Sequence, residues 1–383
     1  MSDIEDPEDN RQQNRYSSRD SKSNLETSTK PKTRPGPHST PNMVSTSDIL
    51  LNNESLSSSG SGLVAALVGA TSGIGLSTLQ AILKHTTSPT VYVVGRGAAR
   101  LDRLIAEVQP LNRGATLHAV VAGDLTSVRG AQRAAEEVAS RATHLDLLIE
   151  SQGFFSFRST PDYTPGEGLD RVTAVRYHSR MRILVTLLPL LRRSRSPRVV
   201  SVLGAGTEGP LDLSDLGMTR PETYGMAYAM GASASLTTLF LEELSRRPGN
   251  EEIVFIHLYP GLVSGTNLRV PPSTNFLVRW LWDYVAKTVV WVVGRGSQEV
   301  GERVLFAATN GRFRRLPPDT AAPGTLVQQG SDGVQGSGAY MVKDDTSVVE
   351  NGGNAQLKKL REQGAGSKVY EYTMSEFERI EKL

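Results

Sequence analysis

Gly69-Ala70-Thr71-Ser72-Gly73-Ile74-Gly75, wedged between a short apolar run and a helical one, constrains this chain more than any other stretch. LVAALV precedes it from Leu63, and STLQAILKH follows with apolar side chains at helical spacing. Glycines at such a junction let the backbone turn tightly and approach another group closely. The helix that opens there offers free N–H groups and a partial positive charge to an anion. Gly69, Thr71, Ser72, Gly73, Ile74 and Gly75 are therefore candidate contacts for a pyrophosphate.

TVYVVGR then reads as a second strand, and strand, helix, strand in that order is a unit whose strands lie parallel. The alternation continues through a helix at Ala99–Val108, a strand at Thr116–Val121, a helix at Val128–Arg141 and a strand at Leu145–Glu150. A long helix at Asp170–Leu191, strands at Arg198–Leu203 and Ile253–Tyr259, and a helix at Tyr228–Ser245 complete it. The expected fold is α/β, a doubly wound parallel sheet of the Rossmann kind. It forms a single domain over residues 61–310, followed by a variable C-terminal substrate lobe. Residues 311–383 are read as loop, an edge strand at Gly338–Val342 and a short helix at Met374–Leu383. Residues 1–60 are poor in large apolar side chains and rich in Ser, Asn, Pro and charge, the composition of a disordered tail. Met43 opens the first modest apolar cluster, so a start of translation there is an equal alternative to a genuine tail.

Composition excludes several classes. Forty-two Lys+Arg against 40 Asp+Glu leave a formal charge of +2 and no clustered basic face for nucleic acid. There is no cysteine, and the 6 histidines are scattered singly, so no metal site is expected. The acidic start MSDIEDPEDN has no apolar core of a signal peptide, and the expected compartment is cytoplasmic.

The spacing G-x-x-x-G-x-G resembles the short-chain dehydrogenase/reductase superfamily, and further residues from about Leu63 to Ala308 carry the likeness. Strand two closes with Val93-Val94-Gly95-Arg96, and Asp124-Leu125 follows strand three. Ser151-Gln152-Gly153 follows strand four, and Pro260-Gly261-Leu262-Val263 follows strand six. The resemblance implies contacts to the adenosine ribose, the adenine, the nicotinamide ribose and the carboxamide in that order. Arg96, Asp124, Ser151, Gly153, Pro260, Gly261 and Val263 thus join the cofactor set. An arginine rather than an acid at the end of strand two suits a 2′-phosphate, so NADP is expected over NAD; the plain alternative for Arg96 is a surface arginine.

The family's usual catalytic pair, Tyr-x-x-x-Lys, is missing. No lysine stands between Lys84 and Lys287, and the tyrosine and lysine positions fall at Met230 and Ala234, or at Met226 and Met230. The serine position falls at Gly204 and the asparagine position at Arg176. In these departures the chain resembles atypical fungal short-chain dehydrogenases of the retinol-dehydrogenase-like branch, often encoded with secondary metabolism. SQG after strand four, Glu167-Gly168-Leu169-Asp170, Tyr177-His178-Ser179-Arg180, Leu187-Leu188-Pro189-Leu190-Leu191 and His257 carry that likeness. Candidates for the absent proton carrier are Tyr228, Tyr224 and Tyr177, with Arg180 or Arg176 as the cation that lowers a phenol's pKa. The plain alternative for each tyrosine is a packing or rim residue.

The apolar stretch Phe276–Val293, with Trp280, Trp282 and Trp291, occupies the place of the family's substrate lid. It suits a small apolar metabolite as substrate, a homodimer interface, or contact with an internal membrane surface on which the protein would sit peripherally. The expected function is an NADP(H)-dependent oxidoreductase acting on a ketone or secondary alcohol in secondary-metabolite biosynthesis. The alternatives are a redox-neutral isomerase, dehydratase or cyclase on the same fold, and a non-catalytic nucleotide-binding scaffold.

Overall fold

The computed structural model describes residues 44–58, 62–154, 160–220, 224–264, 280, 294–317 and 326–383. Its strands are β1 (Val64–Val68), β2 (Thr90–Gly95), β3 (Thr116–Val121), β4 (Leu147–Glu150), β5 (Arg198–Val202), β6 (Val254–Leu258), β7 (Val263–Ser264), β8 (Arg295–Gly296) and β9 (Ala339–Val342). Seven of them pair in the order β3-β2-β1-β4-β5-β6-β9, each parallel to its neighbours, while β7 and β8 form a small sheet of their own. This is the doubly wound sheet that the strand–helix alternation predicts.

Both faces of the sheet are covered, which is why its strands are almost continuously apolar. Ala65 and Leu67 of β1 face α2 (Gly73–His85), α3 (Ala98–Val108) and the later helix Ser297–Thr309. Ala66 and Val68 face α4 (Val128–Arg141), the helical run Arg171–Leu191 and the helix Met226–Ser245. That run begins as α5 (Arg171–Thr173), passes through a π-helical segment, Ala174–His178, and continues as α6 (Ser179–Leu191). Met226–Ser245 is α7 and Ser297–Thr309 is α8.

Two boundaries need correction. The tail assigned to residues 1–60 is too long, because Thr46–Ser55 forms a helix, α1, packed on α8. Its Ile49 and Asn53 are buried, and Asn53 Nδ2 donates to Glu302 O (3.0 Å) and Oε2 (2.8 Å). Two buried residues in a polar decapeptide are too weak a signal to read without α8 beside them. Residues 1–43 lie outside the described residues. Ile49→Ala is expected to lower stability by about 2–5 kcal/mol in a denaturant titration. A loss under about 0.5 kcal/mol, the range of surface changes, would show α1 to be unattached.

The C-terminal region also holds more than a loop, an edge strand and one short helix. β9 is fully buried against β6, and two helices follow, α9 (Ala355–Glu362) and α10 (Ala365–Glu381), in place of the short helix at Met374–Leu383. Ala365, Val369, Thr373, Phe377 and Ile380 form the buried stripe of α10, which packs on α7. Among the described residues no helix is long and apolar enough to cross a membrane. The expected lid Phe276–Val293 lies outside the described residues except for Trp280.

Candidate active site

The strand order reverses at β1, with β2 and β3 to one side and β4, β5 and β6 to the other, so a crevice opens beyond the C-terminal ends of β1 and β4. The glycine turn lines it. Gly69 has φ +82°, and a Cβ there would stand 2.7 Å from the Gln152 backbone nitrogen. A Cβ on Gly75 would stand 2.7 Å from the Gly69 carbonyl oxygen and would press on Ser151 Oγ. Only glycine lets the turn close on the end of β4. Ser151 Oγ donates to Val68 O (3.1 Å) and ties the two strand ends together. Ser72, the residue before α2, makes no side-chain capping bond, which leaves the helix N-terminus to an incoming anion. The cradle fits a pyrophosphate.

Arg96 follows β2 directly and is exposed. A second cation that the sequence reading missed lies at the same turn: Arg100, in α3, donates from Nη2 to Thr71 O (3.0 Å). Its signal is its place in the first turn of the helix that follows β2. Asp124 Oδ1 accepts from Thr126 N (2.9 Å), and its Oδ2 lies 3.3 Å from Arg171 Nη2. Gly153 is exposed just past β4, while Pro260 and Gly261 follow β6 and Val263 opens β7. Gln152 is buried, and neither atom of its amide has a partner among the described residues.

Beneath this rim runs a polar rung. Glu150, Ser201 and His257 are register partners on β4, β5 and β6, so their side chains project to the same face, the one covered by α6. Arg180 reaches in from α6, fully buried. Its Nη1 donates to Glu150 O and Ser201 Oγ (both 2.9 Å), and its Nη2 donates to Gln152 O. Nη2 would also lie 4.0 Å from a Cβ on Gly153, which puts the guanidinium under the floor of the crevice. Both carboxyl oxygens of Glu150 lack a partner among the described residues. Burial holds that carboxyl well above its usual range, against the pull of Arg180, and holds the Arg180 guanidinium below its own.

His257 continues the rung into a hydrogen-bonded chain. Gly204 N–H donates to Nε2 (3.0 Å), so the ring proton sits on Nδ1 and is given to Thr238 Oγ1 (2.7 Å). Thr238 in turn donates to Glu208 Oε1 (2.8 Å). Burial first, then Arg180 and Arg176, push His257 down to about 3, and the ring stays neutral at physiological pH. The sequence gives no sign of Glu208 or Thr238, since the chain depends on how a loop and α7 come to lie beside β6.

Comparison with known proteins decides the family. Residues 63–271 match the short chain dehydrogenase family model. The chain belongs to the short-chain dehydrogenase family. Among fungal relatives of this dehydrogenase, oxidoreductase AN1596 of Emericella nidulans is 32% identical, the match covering 82% of this chain and 92% of that one. Oxidoreductase andH of Emericella variicolor is 32% identical over 88% and 98%. Short-chain dehydrogenase/reductase SAT2 of Stachybotrys chartarum is 28% identical over 84% and 94%.

In this dehydrogenase Tyr177 and Tyr228 are held by groups other than Arg176 and Arg180. Tyr177 is fully buried, its hydroxyl bonded to Thr373 Oγ1 on α10 and its ring set edge-on to Phe240. Burial raises its pKa well above 10. Tyr228 is half-buried; its hydroxyl accepts from Asp212 N (3.4 Å), and the cation acting on it is Arg220 rather than Arg176 or Arg180. Tyr224 is buried just ahead of α7. His178 is buried too and pairs through Nε2 with the Tyr372 hydroxyl (3.0 Å).

Proposed function

We propose that this dehydrogenase is an NADP(H)-dependent oxidoreductase that reduces a ketone of an apolar metabolite, in the manner of secondary metabolism. The observation that carries the reading is the glycine cradle together with two arginines, Arg96 and Arg100, and no acid between Gly95 and Leu101. A 2′-hydroxyl calls for a carboxylate at that strand end; a 2′-phosphate calls for guanidinium groups.

The nicotinamide supplies the hydride. The chain's own residues do the rest. The turn Gly69–Gly75 and the first N–H groups of α2 hold the pyrophosphate, Arg96 holds the 2′-phosphate, and Gly153 keeps the crevice floor open. The proton falls to Tyr228 in preference to Tyr177, because Tyr177 is fully buried with its hydroxyl bonded to Thr373, whereas Tyr228 is only half-buried. Burial raises its pKa above 10, so it keeps its proton at neutral pH and serves the reductive direction, as a weak acid.

Arg96→Asp is expected to weaken NADPH binding by about 100-fold, the ~3 kcal/mol of a lost and reversed charged contact, and NADH by less than about tenfold. Equal losses measured by calorimetry would contradict the 2′-phosphate assignment. A second reading, a redox-neutral isomerase, dehydratase or cyclase, is favoured by the absence of Tyr-x-x-x-Lys. Substrate-dependent oxidation of NADPH supports the first reading; product formed without cofactor turnover supports the second.

A further inference from the structure

Among the described residues Arg176 is a cation without a counter-charge. It is 7% exposed, its Nε is sealed from solvent, and it makes no hydrogen bond or ion pair among the described residues. Burial lowers its pKa to about 10, and among the described residues no carboxylate offsets that. At neutral pH the group is still charged. Leaving a guanidinium unpaired is costly when its Nε is sealed and only its terminal nitrogens escape full burial.

Its position gives the cost a purpose. Arg176 lies in the π-helical segment Ala174–His178, a geometry that concentrates at functional sites. The helical run Arg171–Leu191 connects parallel β4 to β5, so it runs back along the sheet and its N-terminal residues lie at the C-terminal edge of the strands. Arg176 precedes Arg180 by four residues and therefore sits about one turn, ~6 Å, nearer the mouth of the crevice. Arg180 lies under Gly153 with its hydrogen bonds committed to Glu150, Ser201 and Gln152. Arg176 has nothing to hold, and both guanidinium groups act on His257.

We propose that Arg176 is an anion-binding residue of the substrate cleft and that the molecule accepted there carries a carboxylate. This rests on the crevice being the substrate site, as in the proposed function, and narrows the substrate from an apolar ketone to an apolar oxo acid. A planar carboxylate presents two oxygens to the two-donor edge of a guanidinium, and the pair, shielded from water, gains more than an exposed one does. Arg180 below keeps the local field positive.

The test is thermal melting of the full chain in sodium acetate and in sodium chloride at equal ionic strength, for the wild type, Arg176→Met and Arg176→Lys. Acetate should raise the melting temperature of the wild type by about 2–4 °C over chloride, and that of Arg176→Lys by a smaller amount. Arg176→Met should show no acetate shift, and in chloride it should melt above the wild type, since an unpaired buried charge has been removed. Melting of Arg176→Met below the wild type in chloride would make the residue a structural one. An equal acetate shift in all three proteins would place the anion elsewhere. Either result overturns the proposal. With NADPH present the acetate shift should persist; its loss would put the anion in the cofactor's place and also overturn the proposal. A protein that ignores NADPH but keeps the acetate shift would lose the NADP(H) reading and retain the anion site.

Discussion

Arg180→Met is expected to cost about 3–5 kcal/mol of stability, because it leaves three buried acceptors, Glu150 O, Gln152 O and Ser201 Oγ, without their donor. The pH dependence separates this account from an ordinary buried salt bridge. Burial raises the folded-state pKa of Glu150 to about 8, whereas the unfolded value is about 4.3. The native state thus holds a proton that the unfolded chain releases. Stability from this group is complete below about pH 4.3 and is lost as pH rises toward 8, at ~1.4 kcal/mol per pH unit. Over that window Glu150→Gln should gain on the wild type by about 4 kcal/mol, since an amide cannot lose the proton. The Arg180→Met loss should be level up to pH 8 and grow only beyond it. Urea titrations across pH 5 to 9 check both. A loss in Arg180→Met that grows steadily from pH 5 would mean that Glu150 is ionised and paired, contrary to this description.

Arg361→Leu should be comparably damaging, at about 3–5 kcal/mol, although Arg361 stands on α9 in a region that reads from sequence as a loop, an edge strand and a short helix. Its Nε and Nη2 grip both oxygens of Glu242 on α7, at 3.0 and 2.6 Å. The same guanidinium donates to Ser331 O (2.9 Å) and Gly352 O (2.5 Å), on either side of β9. One side chain therefore fastens α7, β9 and α9 together. Without it the Glu242 carboxylate, 2% exposed, is buried with no partner. Replacing Glu242 by Gln in the same protein should recover part of the loss, because the stranded charge is gone. A single-variant loss under about 1 kcal/mol, the scale of surface pairs, would show that the C-terminal helices dock only loosely.

What was legible in the sequence follows from periodicity. Strands buried on both faces must be apolar throughout, so LVAALV, TVYVVG and RVVSV announce themselves, and the glycine turn is legible because no side chain fits there. α10 was read too short because its buried stripe includes Ala365 and Thr373, which carry little apolar signal. The polar rung could not be read. Glu150 looks like the polar end of a strand, and Arg176 and Arg180 read only as cations beside a tyrosine, with no sign of Glu150 or Ser201 as neighbours. Only strand register and the helical run across the sheet bring Glu150, Ser201, His257 and Arg180 into one buried cluster. Tyr177, on the same segment, was attractive as a phenol beside two arginines, but the helix carries its hydroxyl to Thr373.

The central claim is that the crevice at the glycine turn holds NADP(H), and calorimetric titration of the purified protein with NADPH and with NADH tests it most directly. The account predicts binding of both, with NADPH at least about tenfold tighter, a difference of ~1.4 kcal/mol. Equal or tighter binding of NADH would contradict the role given to Arg96 and Arg100. No binding of either would contradict the oxidoreductase reading itself.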